Sequence, residues 1–359
     1  MYLHSSVPDD IGLAQPPVRD LRRVGVHPDH WYPLAWSREL KLGGSLAVRF
    51  AGEPIVLVRP RNGEVFALED RCAHRQVPLS RGVVQGATIR CCYHGWSYDG
   101  SGHCVDVPYL GKDKLPNGVR SYPCREAGGL ILVFPGDPAR ALAVPLPELG
   151  SVADSRYRTR RFGDVVACHY SFMHENLMDM NHQFLHRRQM GQIRPRFLGQ
   201  RRGENWLEAK YSFARTGGKQ PLGEAAIFGQ RRPATSARSL AERDIMTIRT
   251  EYPYQTLRIH TRDETPVMDL WIAYVPLDQA QRSNRTFGLL SVRRPKIAAL
   301  LDLAWPLLVL FTERIFREDR EIVTLEQAAH DAQGGDRNQE VFPVIRDLRA
   351  LLAACGAPE

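Results

Sequence analysis

Lysine is scarce in this chain. Six occur in 359 residues, so the net charge of +8 is carried almost wholly by arginine. The arginines are spread along the sequence and no nucleic-acid-binding motif accompanies them, which argues against a nucleic-acid partner. They read either as an ordinary solvated surface or as a docking face for an acidic electron-donor protein. Long hydrophobic runs are also missing. The longest, Ile297 to Phe311, spans 15 residues and is interrupted by Asp302 and Pro306. A membrane-spanning helix needs about 20. That run is expected to be a buried helix, with a surface-seeking helix as the alternative. The seven cysteines, Cys72, Cys91, Cys92, Cys104, Cys124, Cys168 and Cys355, are odd in number and irregularly spaced. Met1 to Pro17 has no basic end followed by an apolar stretch. A disulfide framework is therefore not expected, and a cytoplasmic location is. No pair of cysteines stands two to four residues apart, as structural zinc usually requires. There is no glycine-rich dinucleotide fingerprint ahead of a helix and no flavin signature.

Hydrophobic residues make up 43% of the chain and charged residues 25%, an ordinary globular balance with room for two domains. Residues 1–30 are polar and proline-bearing and read as an N-terminal arm. From 31 to about 145 the pattern is short strands and turns. Strands are expected at Leu46–Phe50, Pro54–Val58, Val65–Leu68 and Gly128–Phe134, with Arg61-Asn62-Gly63 as a turn. Proline-rich residues 135–147 mark a boundary. In the second domain, 146–359, Val165–Leu185 reads as a strand passing into a helix. Later strands are expected at Thr256–Thr261, Leu270–Val275 and Phe287–Val292. Thr216–Asp244 is rich in Gly, Pro, Arg and Ser and reads as a long loop. Pro295–Ala329 has a helical period. The fold class is α+β: a small N-terminal β domain followed by a mixed domain.

Two strings carry chemistry. The first is Cys72-Ala73-His74, then sixteen residues, then Cys91-Cys92-Tyr93-His94. Thiolates suit iron–sulfur clusters and zinc. Two histidines replacing two cysteines on one iron is the Rieske arrangement, which raises the potential of a 2Fe-2S cluster. Each loop offers one cysteine and one histidine. Only Cys91 stands three before a histidine, so Cys91 is the expected ligand and Cys92 a bystander. The competing reading of this string is a zinc-stabilised module. The second string is His174-Glu-Asn-Leu-Met-Asp-Met-Asn-His-Gln-Phe-Leu-His186. His182 and His186 are four apart and would share one face of a helix. Two histidines with one carboxylate leave positions open on a mononuclear Fe(II), as oxygen activation requires.

The run Cys72-Ala-His74-Arg75…Cys91-Cys-Tyr-His94-Gly95-Trp96 closely resembles the Rieske domain of ring-hydroxylating oxygenases. Asn176-Leu-Met-Asp179-x-x-His182 resembles the catalytic signature of Rieske non-haem iron oxygenases, especially their monooxygenase and demethylase members. Many relatives space the histidine pair one residue wider. The resemblance covers about Trp31 to Gln327. It implies a Rieske β domain followed by a catalytic domain with a curved antiparallel sheet and helices. It places the third iron ligand on a late helix, where Asp319 fits best and Glu318 is the runner-up. It also implies that Asp179 bridges His182 to His94 of a neighbouring subunit in a homotrimer, since metal-bound histidines usually donate their other N–H to a carboxylate. Asn176 would lie near the iron, or else be a helix-start residue. A separate NAD(P)H-dependent reductase, with or without a ferredoxin, would supply electrons. The implied activity is terminal oxygenation of a mid-sized organic substrate, by hydroxylation or dealkylation. Dihydroxylation, desaturation and a pure electron-transfer protein are the alternatives.

Overall fold

The computed structural model describes residues 20–110, 118–217, 220–228, 245–261 and 265–357. Among the described residues the N-terminal domain has eleven short strands: β1 (Tyr32–Trp36), β2 (Gly44–Phe50), β3 (Glu53–Arg59), β4 (Phe66–Glu69), β5 (Val83–Gln85), β6 (Thr88–Arg90), β7 (Ser97–Tyr98), β8 (Cys104–Asp106), β9 (Ser121–Tyr122), β10 (Cys124–Ala127) and β11 (Leu130–Val133). They form three antiparallel sheets in the orders β1-β11-β10, β2-β3-β4-β9 and β5-β6-β7-β8.

Strand β3 shows why the sequence folds this way. Ile55, Val56, Leu57 and Val58 are all fully buried. Side chains alternate across a strand, so the run serves two cores at once. Ile55 and Leu57 join the large core shared with the second domain. Val56 and Val58 join a smaller one with Leu68, Leu79, Tyr98 and the two cysteines Cys72 and Cys91. The metal-binding loops are thus seated on a hydrophobic base of their own.

The second domain holds strands β12 (Tyr157–Phe162), β13 (Val165–Val166), β14 (Gln192–Arg202), β15 (Trp206–Gly217), β16 (Ile245–Glu251), β17 (Tyr254–His260), β18 (Met268–Pro276) and β19 (Asn284–Arg293). They make one antiparallel sheet in the order β12-β19-β18-β17-β16-β15-β14, with β13 also paired to β19. Five helices accompany it among the described residues: α1 (Tyr170–Met178), α2 (Arg187–Met190), α3 (Leu222–Phe228), α4 (Ala298–Gln333) and α5 (Pro343–Cys355). Strand β18 is buried along both faces from Asp269 to Pro276. Leu270, Ile272 and Tyr274 look towards α1 and α4 across a cavity. Trp271, on the other face, lines a groove with Tyr254 and Pro145. At the β12–β19 pairing Phe162 lies opposite Gly288. A Cβ on Gly288 would come within 2.2 Å of the Phe162 ring. The glycine lets that ring lie flat against Phe316 of α4, with centroids 4.1 Å apart.

Three expectations are corrected. Thr216–Asp244 is not a continuous loop: β15 runs to Gly217 and α3 occupies Leu222–Phe228, while residues 229–244 lie outside the described residues. The apolar run Ile297–Phe311 is helical but not a buried helix. Leu301 and Leu308 are buried, whereas Leu303 is 81% exposed and Leu300 57%. Among the described residues, this part of the helix meets the protein along one side only. Third, helix α1 stops at Met178, so His182 and His186 do not share an α-helical face. Asp179 ends α1 and its carboxylate accepts from Asn181 N at 2.8 Å, starting a separate 3-10 turn over Met180–Phe184.

Candidate metal centres

The two loops of the first site are the same turn used twice. Cys72 N donates to Val77 O and Gln76 N to Cys72 O; Cys91 N donates to Trp96 O and Gly95 N to Cys91 O. The fifth residue of each turn is left-handed, Gln76 at φ 60° and Gly95 at φ 75°. This near-equivalence pairs the two thiols with one another and the two imidazoles with one another. Cys72 and Cys91 are buried, at 2% and 4% exposure, while His74 and His94 are exposed with ring centroids 4.5 Å apart. Cys92 is exposed. Burial pushes the Cys91 thiol up, and the neighbouring Cys72 pushes it further. Two adjacent buried thiols with two outward imidazoles fit a cluster whose sulfur ligands lie inside and whose histidine edge faces out.

Two residues that sequence reasoning did not assign tune this site. Tyr98 places its hydroxyl 3.2 Å from Cys72 Sγ and accepts from Ala73 N at 3.1 Å. Trp96, noted only as following His94, stacks on the His74 ring at 4.8 Å and 6°. The aromatic pair two apart on β7 and just before it was the available signal.

The second site gathers three groups from two elements. Nε2 of His186 lies 3.1 Å from Oδ1 of Asp319, and Nε2 of His182 lies 4.0 Å from the same oxygen. One ligand atom from each of His182, His186 and Asp319 falls within 4.8 Å of the others. The opposite nitrogens are engaged: His182 Nδ1 with the backbone carbonyl of Asp179, and His186 Nδ1 with Glu318 Oε2 at 2.8 Å. Both rings therefore turn Nε2 to the common point. His186 Nε2 and Asp319 Oδ1 are buried and 3.1 Å apart, with no partner among the described residues beyond each other and His182. A buried carboxylate oxygen facing two imidazole nitrogens is costly unless a positive charge, a proton on His186 or a bound cation, offsets it. A cation such as iron fits that donor set. Glu318 is placed on the outer nitrogen of His186 rather than at the common point.

Asp179 departs from its expected contact. Its carboxylate holds Asn181 N and Asn181 Nδ2 at 2.8 and 2.9 Å, and its backbone carbonyl, not the carboxylate, meets His182. Asn176 is the seventh residue of α1, so it is not a helix-start residue. It lines both an acidic cleft of about 590 Å³, which Asp179, Glu175 and Glu326 share with His182, and the cavity beside Asp319. That cavity is walled by Phe162, Met173, Leu177, Leu270, Ile272 and Phe316.

Comparison with known proteins agrees with this architecture. Residues 30–123 match the Rieske [2Fe-2S] domain family, and residues 166–344 match the vanillate O-demethylase oxygenase C-terminal domain family. The chain is 30% identical over 348 residues to the 4beta-methylsterol monooxygenase of Methylococcus capsulatus, covering 93% of this chain and 89% of that protein. It is 39% identical over 159 residues to the oxygenase component of dicamba O-demethylase from Stenotrophomonas maltophilia, covering 44% and 47%. Dicamba monooxygenase bound to dicamba shares the fold at a TM-score of 0.69 and 24% identity, covering 91% of this chain and 98% of that one. NdmB of Pseudomonas putida CBB5 does so at 0.67 and 20%, covering 93% and 92%.

The chain belongs to the Rieske non-haem iron monooxygenases. It is a terminal oxygenase component, and enzymes of this kind use a Rieske cluster together with a mononuclear iron. The match over 166–344 sets aside a pure electron carrier, and the Rieske match sets aside a zinc module. No helix among the described residues is long and apolar enough to cross a membrane.

Proposed function

We propose that Cys72, His74, Cys91 and His94 hold the cluster, that His182, His186 and Asp319 hold the iron, and that the chain oxygenates a mid-sized apolar molecule by hydroxylation or dealkylation. The divisions 1–30, 31–145 and 146–359 are proposed as arm, Rieske domain and catalytic domain. The observation that carries the iron assignment is the convergence of His186 Nε2 and His182 Nε2 on the buried Oδ1 of Asp319, at 3.1 and 4.0 Å. When bound, the cluster supplies electrons one at a time and the iron supplies oxygen activation.

The protein's own part is positioning and exclusion of water. The cavity is small, about 50 Å³, and its aliphatic and aromatic wall favours an apolar group of the substrate, with Asn176 among the polar lining residues. Similarity along nearly the full length to an enzyme named for a methylsterol supports the same substrate class. The acidic cleft at Asp179 suits the outward edge of a Rieske domain, where exposed Arg75 follows His74. We place that edge as a neighbouring subunit's, in a homotrimer, with Asp179 carrying electrons from His94 of one subunit, met by its carboxylate, to His182 of the next, met by its backbone carbonyl. A separate NAD(P)H-dependent reductase, with or without a ferredoxin, completes a cytoplasmic system.

The test is a screen of apolar candidates with a surrogate reductase, NADH and isotopically labelled oxygen. Products carrying one labelled atom per turnover are expected. A preparation holding both metals that oxidised NADH without the reductase would overturn the partner assignment. Products with two labelled atoms would overturn monooxygenation.

A further inference from the structure

The first four turns of α4 carry a ridge that no described part of the chain covers. Ile297, Leu300, Leu303, Leu307 and Leu310 are each at least half exposed. Their spacing of three and four places them along one side of the helix, a strip of about 15 Å between Leu300 and Leu310 at 1.5 Å per residue. Leu222 of α3, the helix that lies against α4, is 74% exposed as well. An aliphatic strip this continuous is a site of contact rather than an accident of the surface.

Its charges point to the occupant. Exposed Lys296 precedes the strip and exposed Arg314 and Arg317 continue its line beyond Leu310. Lys296 and Arg314 have no ion-pair partner among the described residues. The one acidic residue within the strip, Asp302, is neutralised by Arg158 and Arg294. The surface is thus a convex row of aliphatic side chains bracketed by free cations. Among the described residues the side chains of the strip are all aliphatic, and the nearest aromatic rings, Trp305 and Phe311, are half-buried. A fluid, anionic surface conforms to such a ridge; an interfacial helix of this kind sinks its apolar side about 5–10 Å into the headgroup boundary. We propose that this half of α4, with Leu222, docks the protein on an anionic lipid bilayer, without crossing it. This goes beyond the oxygenase reading. It rests on that reading only where it adds that an apolar substrate reaches the cavity from the lipid phase.

The test is flotation of the whole, cluster-bearing protein with vesicles of phosphatidylcholine alone or mixed with phosphatidylglycerol. Binding to the mixed vesicles, weakened by added salt, is the expected result. Leu303→Glu with Leu307→Glu should abolish it, and Arg314→Gln should weaken it about fivefold, the effect of one interfacial cation. The brown absorption of the cluster reports that the first domain of each variant has folded, retained mononuclear iron reports the second, and none of the three residues is a metal ligand. Equal binding to both vesicle types, no binding, or unchanged flotation of the double variant would overturn the proposal. So would a drop in oligomeric size of the double variant, which would make the ridge a contact between copies. Flotation needs no turnover, so a protein that floats yet oxygenates none of the apolar candidates would overturn the proposed substrate class and leave this proposal standing.

Discussion

Glu318 and His186 form a hydrogen bond of 2.8 Å between a carboxylate oxygen and Nδ1, while the next residue, Asp319, faces Nε2 of the same ring at 3.1 Å. Two neighbouring acids thus divide the two nitrogens of one imidazole. Such outer partners typically govern metal affinity by 10–100-fold. Glu318→Ala is expected to weaken iron binding by about that factor, whereas Asp319→Ala should lose the iron altogether. Both variants should keep the cluster. Iron titration followed by cluster absorption checks this. Full iron occupancy in Asp319→Ala would move the ligand to Glu318.

The same pair of acids fixes a pH dependence. Burial alone would lower the His186 pKa, but Asp319 and Glu318 outweigh it and hold it above the ordinary 6.5. In the metal-free chain this raised value stabilises the fold below pH 6.5, and the contribution is lost as pH climbs through the folded-state pKa. Iron needs the neutral ring, so its retention runs the other way. Chelator-resistant iron should fall as pH drops through the raised value. Iron retention that did not change between pH 6 and 8 would remove this competition.

Asp179→Asn is close to a pure charge deletion. The amide oxygen can still accept from Asn181 N, so the 3-10 turn carrying His182 should survive. Both metals are expected to stay, while turnover and cluster reoxidation fall about 10–100-fold. Stopped-flow bleaching and recovery of the cluster separates transfer from chemistry. An unchanged reoxidation rate would end the bridging role.

With Cys72 ligated as a thiolate, the Tyr98 hydroxyl 3.2 Å from its sulfur can only donate to it, and hydrogen bonds to sulfur tune the potential. Loss of the donor in Tyr98→Phe is expected to lower the midpoint potential with the fold intact, since the ring remains in its fully buried seat. A redox titration decides it; an equal or higher potential would contradict the assigned bond.

The metal strings were legible because each is local: a cysteine and histidine within one turn need no knowledge of the fold. What joins them was less so. Glu318 and Asp319 are chemically alike, and only the azimuth of α4 separates the ligand from its supporter. The helix expected to hold both His182 and His186 fails because the Asp179 carboxylate competes for backbone N–H groups, as capping residues do. Strands β14 and β15 hid behind charge. Gln192–Arg202 is exposed or half-exposed throughout, and its arginines mask the alternation that marks β18 and β19. The ridge of α4 was apolar in sequence, but apolarity alone does not say which side meets protein.

Helix α4 bears Asp319 in the interior of a 36-residue rod. The rod is anchored on one side by buried Leu308 and Thr312 and on the other by Val323 and by Gln327, whose side chain accepts from His169 N at 2.8 Å. The bearing of the carboxylate is therefore inherited from turns remote from the iron. One residue inserted between Thr312 and Asp319 would swing it by about 100°, clear of both histidines. The centre can absorb changes of residue type along this stretch far more readily than a change in the number of residues.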